Sequence, residues 1–129
     1  MIVSELIQVA SQQFEQKMSE FGKDWDTDRL TADLANQVGT ALQEAFSHAS
    51  RQAYKWFLER YDVKEPLVAW QGQTLRFKAI SPKTFLTSFG TITIERSLYQ
   101  ADTGGVSYVP LDHLWDMDGH FATDDVRQA

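Results

Sequence analysis

Apolar residues recur at intervals of three and four from Leu34 onward, as Leu34, Val38, Leu42, Phe46, Ala49, Ala53, Phe57 and Tyr61. That spacing predicts one long helix over residues 28–61. A second row, Ala41, Ala45, Ala49 and Ala53, runs in strict steps of four. It forms a ridge so shallow that another helix can approach toward the short end of the usual ~8–10 Å interaxial range. At ~1.5 Å per residue the helix is about 50 Å long, longer than a small domain is wide. Part of its face therefore calls for a second chain, and a homodimer is expected.

Ahead of it, Leu6, Val9, Ala10, Phe14, Met18 and Phe21 mark one side of a first helix over residues 2–21. Gly22 is expected to close that helix in the left-handed conformation. A short link, residues 23–27, then offers Asp26 or Thr27 as a cap for the second helix, with Asp24, Asp26 and Asp28 at its positive end. Helices joined so closely pack antiparallel. The long helix ends among Arg51, Lys55 and Arg60, and Pro66 prevents its continuation.

Beyond Pro66 the period changes to that of strands. Short runs at 67–70, 74–80 and 85–89 are broken by Gln71-Gly72, Ser81-Pro82 and Gly90. In the next run, 91–99, Ile92, Ile94, Arg96 and Leu98 fall on one side, and Thr91, Thr93, Glu95, Ser97 and Tyr99 on the other. A turn at 101–105 returns the chain through Val106 to Val109, where Pro110 ends the strand. The remainder predicts one short helix, a loosely packed end and a helix start at Thr123-Asp124-Asp125. The expected architecture is α+β: two antiparallel helices, the second very long, followed by a small antiparallel β-sheet. It reads as a single domain with a helical hairpin (1–65), a sheet (66–109) and an acidic C-terminal segment (110–129).

Composition supports a folded core, since 129 residues with 43% hydrophobic content suffice for one domain. With 0 Cys there is neither a disulfide framework nor a thiolate metal site, which points to a reducing compartment. No apolar run is long enough for a membrane span, and Glu5 interrupts any secretory leader. A cytoplasmic location is expected.

The net charge of -6 is unevenly spread. Residues 1–50 hold three bases and eight acids, residues 51–96 eight bases and four acids, and residues 97–129 one base and six acids. The chain as a whole repels DNA, so any nucleic-acid contact falls to the basic middle. Its candidates are Arg51, Tyr54, Lys55 and Arg60, beside Trp56, with Arg76, Lys78, Lys83 and Arg96 from the strands: aromatics stack on bases while cations follow phosphates. The plainer alternative has Trp56 and Phe57 plugging the core while the bases face water.

The acidic end, with Asp112, His113, Asp116, Asp118, His120, Asp124 and Asp125, has metal-ligand chemistry but no fixed ligand spacing. A solvated face is the simpler reading. The alternative is a mimic of a phosphate backbone, with Asp112, Asp116, Asp118, Asp124 and Asp125 presented to a basic partner. His48, beside the helix stripe, reads as a structural histidine, because no nucleophile and orienting group accompany it. There is no glycine-rich phosphate loop. No cofactor, metal or small-molecule substrate is implied, and no enzymatic activity.

The stretch Phe89-Gly90-Thr91-Ile92-Thr93-Ile94-Glu95-Arg96-Ser97-Leu98-Tyr99, followed after the turn by Val109-Pro110-Leu111-Asp112, resembles the N-terminal, pre-catalytic region of Kra-type bacterial insertion-sequence transposases over about 40 residues. In that family a helical segment precedes such a strand, and a proline-leucine-aspartate element leads on toward the nuclease. Many members carry two cysteines in the hairpin, where this chain has Gln100-Ala101-Asp102-Thr103-Gly104-Gly105. The family's three nuclease carboxylates lie further downstream than Ala129. The resemblance thus implies a non-enzymatic dimerisation and interaction module, contacting protein or nucleic acid. The rival expectation is a small acidic inhibitor of a nucleic-acid-binding enzyme, of the phage or anti-CRISPR type.

Overall fold

The computed structural model describes residues 1–128 and has the expected α+β order of helices and then a four-stranded antiparallel sheet. It divides into two compact units, Met1–Trp56 and Phe57–Ala129, with the boundary inside the long helix. Among the described residues no helix is long and apolar enough to cross a membrane.

In the first unit, α1 (Ile2–Gly22) and α2 (Ala32–Glu59, running on into the second unit) are antiparallel. Gln13 of α1 meets His48 of α2, while Phe21, further along α1, lines a depression with Thr40, Ala41 and Glu44, earlier in α2. Gly22 differs from expectation. It is the last helical residue, and Lys23 after it is right-handed at φ -60°. Its lack of a side chain serves packing instead, since a Cβ there would stand 3.1 Å from the Trp25 ring. The start of α2 also moves, from residue 28 to 32, because the cap is Thr31: its Oγ1 accepts the Leu34 N–H at 3.0 Å. Asp26 instead accepts the Asp28 N–H at 3.2 Å and makes a local turn.

The alanine ridge is the buried line of α2. Ala41, Ala45, Ala49 and Ala53 are 4%, 0%, 5% and 8% exposed within one chain, whereas Phe46, on the larger apolar row, is 60% exposed and rests against Phe14.

In the second unit the strands lie in the order β1-β2-β3-β4. β1 (Leu67–Trp70) turns through Gln71 and Gly72, both at positive φ, directly into β2 (Gln73–Thr87), a two-residue hairpin in which glycine relieves the strain of the left-handed position. β2 is one strand where the sequence suggests two, and Pro82 lies within it. Its partner in β3 (Gly90–Gln100) is Glu95, whose N–H goes to Glu59 Oε2 at 2.8 Å. The pair is thus a non-hydrogen-bonded one, at which a missing proline N–H costs the ladder nothing. A bulge at Phe77/Ala79 shifts the register between the two halves of β2.

β3 buries both its faces. Ile92, Ile94 and Arg96 are buried on one, where Phe85, opposite Ile92, packs against Trp115. Ser97 and Tyr99 are buried on the other, under the chain that leaves α2: Asp62 accepts from Ser97 N and Oγ, and the Tyr99 hydroxyl donates to the carbonyls of Val63 and Glu65. β4 is only Ser107–Tyr108. Pro110 then opens helix α3 (Pro110–Leu114) at the first-turn position that suits proline. The segment after β4, expected to be loosely packed, is anchored at a few positions, while Leu114 and Phe121 stay 64% and 70% exposed. Leu111 and Met117 are 1% exposed, Ala122 bridges Leu86, and Thr123 leads into α4 (Asp124–Arg127).

Candidate interaction surfaces

Arg96 and Asp112, expected on two opposing surfaces, bind each other. Their side chains are 7% and 8% exposed, and Arg96 Nη1 donates to Asp112 Oδ2 at 2.7 Å. The guanidinium also donates from Nε to the Ser81 carbonyl at 3.1 Å and from Nη2 to Ser81 Oγ at 3.3 Å. Neither residue can meet a partner from this position, which corrects both assignments. The reason is the β3 alternation, which carries Arg96 inward with Ile92 and Ile94. Burial lifts the Asp112 carboxyl above the ordinary carboxylate range, against the pull of Arg96. Asp112 Oδ1 and Trp115 Nε1 are buried without hydrogen-bond partners among the described residues.

The other basic candidates divide between the units. Arg51, Tyr54 and Lys55 are half-exposed on the α2 part of the first unit, and Arg60 is exposed just beyond the helix in the second. Arg76 and Lys78 stand together on an exposed stretch of β2, where Arg76 Nε donates to Asp102 Oδ1 at 3.1 Å and Lys78 Nζ to Gln100 Oε1 at 2.6 Å. Lys83 lies over two rings, 4.9 Å from the centre of Phe85 and 4.5 Å from that of Phe121.

Of the acidic set, Asp116, Asp118, Asp124 and Asp125 remain exposed. Asp118 binds His113 Nδ1 at 2.9 Å, and Asp124 holds Gln128 at 2.9 Å and Arg127 at 3.4 Å. Asp125 is held below the ordinary carboxylate range, chiefly by the Thr123 hydroxyl it accepts. His48 bonds Gln13 at 3.0 Å, and burial first, then Lys17 and Arg51, lower its pKa. With Gln13 Oε1 as acceptor, Nε2 carries the proton.

Three features escape a sequence reading. Glu59 and Asp62, three apart at the end of α2, fasten it to the outer edge of β3. Trp70 stacks on Tyr108 at 4.0 Å and 8°, with the His113 ring edge-on at 5.0 Å. A depression of about 500 Å³ opens between Glu65, Pro66, Phe77, Ile80 and Ser97. Each depends on contacts between residues far apart along the chain, which no local pattern signals. No family model matches this chain, and neither does any curated protein or solved structure.

Proposed function

We propose that the chain is a non-enzymatic, cytoplasmic interaction module that dimerises through its helical hairpin, as the resemblance to the pre-catalytic region of insertion-sequence transposases implies. One observation carries the reading: none of the 21 residues of α1 is buried within a single chain. Its half-covered positions, among them Ile2, Leu6, Val9, Phe14, Met18 and Phe21, follow the three-four spacing of a helix seam, and Val3 and Ile7 beside them are 53% and 61% exposed. A second hairpin laid on this face converts two helices into a four-helix bundle and buries what one chain leaves wet.

Sedimentation velocity tests it. The natural chain is expected to sediment as a dimer at micromolar concentration. V3E/I7E, altered at positions exposed in the single chain, is expected to sediment as a monomer with unchanged helix content. A natural chain that stays monomeric at high concentration removes the reading. Ala45→Glu or Ala49→Glu is unsuitable, because both sites are buried within one chain and the hairpin itself would fail.

The nucleic-acid contacts of this module fall to Arg51, Tyr54 and Lys55 on the first unit and to Arg60, Arg76 and Lys78 on the second. The exposure of Asp116, Asp118, Asp124 and Asp125 favours a second reading, an acidic inhibitor that occupies the basic groove of a nucleic-acid-binding enzyme.

A further inference from the structure

The two long strands of the sheet each overrun their outer neighbour, and the fold treats the two free edges oppositely. On β3 the carboxylates of Glu59 and Asp62 take the outward N–H groups of Glu95 and Ser97 at 2.8 and 2.9 Å, so that edge is occupied over those positions. On β2 the neighbour β1 stops at Leu67 opposite Arg76, with the Pro66 carbonyl accepting the Phe77 N–H at 3.0 Å. The next backbone on that side is residues 121–123, where Leu86 donates to the Phe121 carbonyl at 2.7 Å and accepts from Thr123 N at 2.9 Å. Between them, among the described residues, β2 from 78 to 85 has a strand on one side only. Backbone direction alternates along an antiparallel ladder, so Ile80, Pro82 and Thr84 present their backbone groups to the same open side as Leu86. All three are exposed.

What fits this lane follows from its length, charge and flanks. At ~3.3 Å per residue it is about 26 Å long, enough for a strand of ordinary length. β2 carries Arg76, Lys78 and Lys83 and no acid, in a chain whose net charge is -6. Lysines, a bulge and a proline lacking its outward donor are devices that keep identical edges apart, so a second copy of β2 is a poor occupant. A strand bearing carboxylates is matched to the lysines, which repel only a like-charged occupant. At one end the depression of about 500 Å³ is lined by the charged Lys64, Glu65 and Arg76 as well as by Pro66, Phe77, Ile80 and Ser97, and the exposed Phe77 and Ile80 give one apolar side chain a surface to rest on. At the other end Lys83 and the exposed Phe121 ring stand together.

We propose that this lane binds an extended acidic segment of a partner protein, which joins the sheet as a strand beside β2. Its backbone takes the N–H groups of Ile80 and Thr84 and donates to the carbonyls of Ile80, Pro82 and Thr84. Its carboxylates lie against Lys78 and Lys83, and one apolar side chain sits beside Phe77 and Ile80. Main-chain pairing supplies the affinity and the flanking side chains the selectivity. Such binding does not require dimerisation.

The probe is a labelled seven-residue peptide alternating Glu with Val, compared with its Lys-for-Glu counterpart and with a version N-methylated at alternate amides. Fluorescence anisotropy is expected to show the acidic peptide binding at least about tenfold more tightly than either control. Amide exchange at Ile80 and Thr84 is expected to slow on saturation while Glu95 and Ser97 stay unchanged. Thr84→Pro, which removes an outward donor and leaves the β3 ladder in place, should weaken binding, and Lys83→Glu should reduce the preference for the acidic peptide. Equal affinity for the N-methylated peptide would show charge attraction alone and overturn the proposal. Unchanged exchange at Ile80 and Thr84 at millimolar peptide would do the same, as would protection of those amides by single-stranded DNA and not by peptide.

Discussion

Arg96 and Asp112 show how one side chain is committed by its strand. The sequence places Arg96 on the apolar side of β3 with Ile92, Ile94 and Leu98, yet as a lone base it reads as a surface cation, because the counter-ion that lets it be buried lies 16 residues on and is brought back by β4 and α3. Removing one member leaves a buried charge, so Arg96→Met should cost ~3–5 kcal/mol, while Arg96→Met with Asp112→Leu should recover most of that loss. Urea denaturation of the two single mutants and the double mutant measures this. The pair also gives stability a pH dependence of definite sign. Because burial raises the Asp112 pKa, the folded state holds that proton more tightly than the unfolded one. Its contribution therefore falls as pH rises from the ordinary carboxylate value near ~4 through the raised value, and stays low above it. That downward slope should be absent from the double mutant.

Among the elements, the helices and the β3 strand were readable because their periods are long and unbroken, and the turn at Gln71-Gly72 because the hairpin needs positive φ there. The continuity of β2 was not, since Pro82 ordinarily breaks a strand, and only the pairing with Glu95 reveals a position where its missing N–H is harmless. The fastening of α2 to β3 was equally hidden, because Glu59 and Asp62 look like ordinary solvated acids at a helix end. Asp62 accepts from both Ser97 N and Oγ, so Asp62→Ala strands two donors of a buried residue and should cost ~1–3 kcal/mol. Asp62→Asn keeps one acceptor oxygen and should lose less. Amide exchange at Ser97 should quicken in the alanine variant more than at Ile92, far from the fastening. Equal protection in natural and variant chains would show that the carboxylate does not hold this edge.

For the molecule as a whole, the charge pattern separates the two functional readings, and the structure narrows which residues each can use. Burial removes Arg96 from the basic set and Asp112 from the acidic one, so neither substitution reports on binding. On the module reading, Arg51, Lys55, Arg76 and Lys78 meet phosphates. Alanine at each should then weaken DNA binding evenly across sequences and reduce the slope of log K against log salt by ~0.7–0.9 for every phosphate left without its cation. Arg76 already pairs with Asp102, and at an exposed pair worth ~0–1 kcal/mol that competition is too weak to keep it from phosphate. On the inhibitor reading the chain binds no DNA of its own even at low salt. Asn at Asp116, Asp118, Asp124 and Asp125 then abolishes capture of a basic protein partner while the circular dichroism spectrum stays that of the folded chain, because all four are exposed and each Asn keeps one acceptor oxygen for the local hydrogen bonds. A gel-shift titration of the natural chain at low salt divides the cases. A retarded complex whose salt slope falls with each alanine supports the module and eliminates the inhibitor. An unshifted probe at every concentration removes DNA from the module's partners and leaves the α1 face and the β2 lane as protein-binding surfaces.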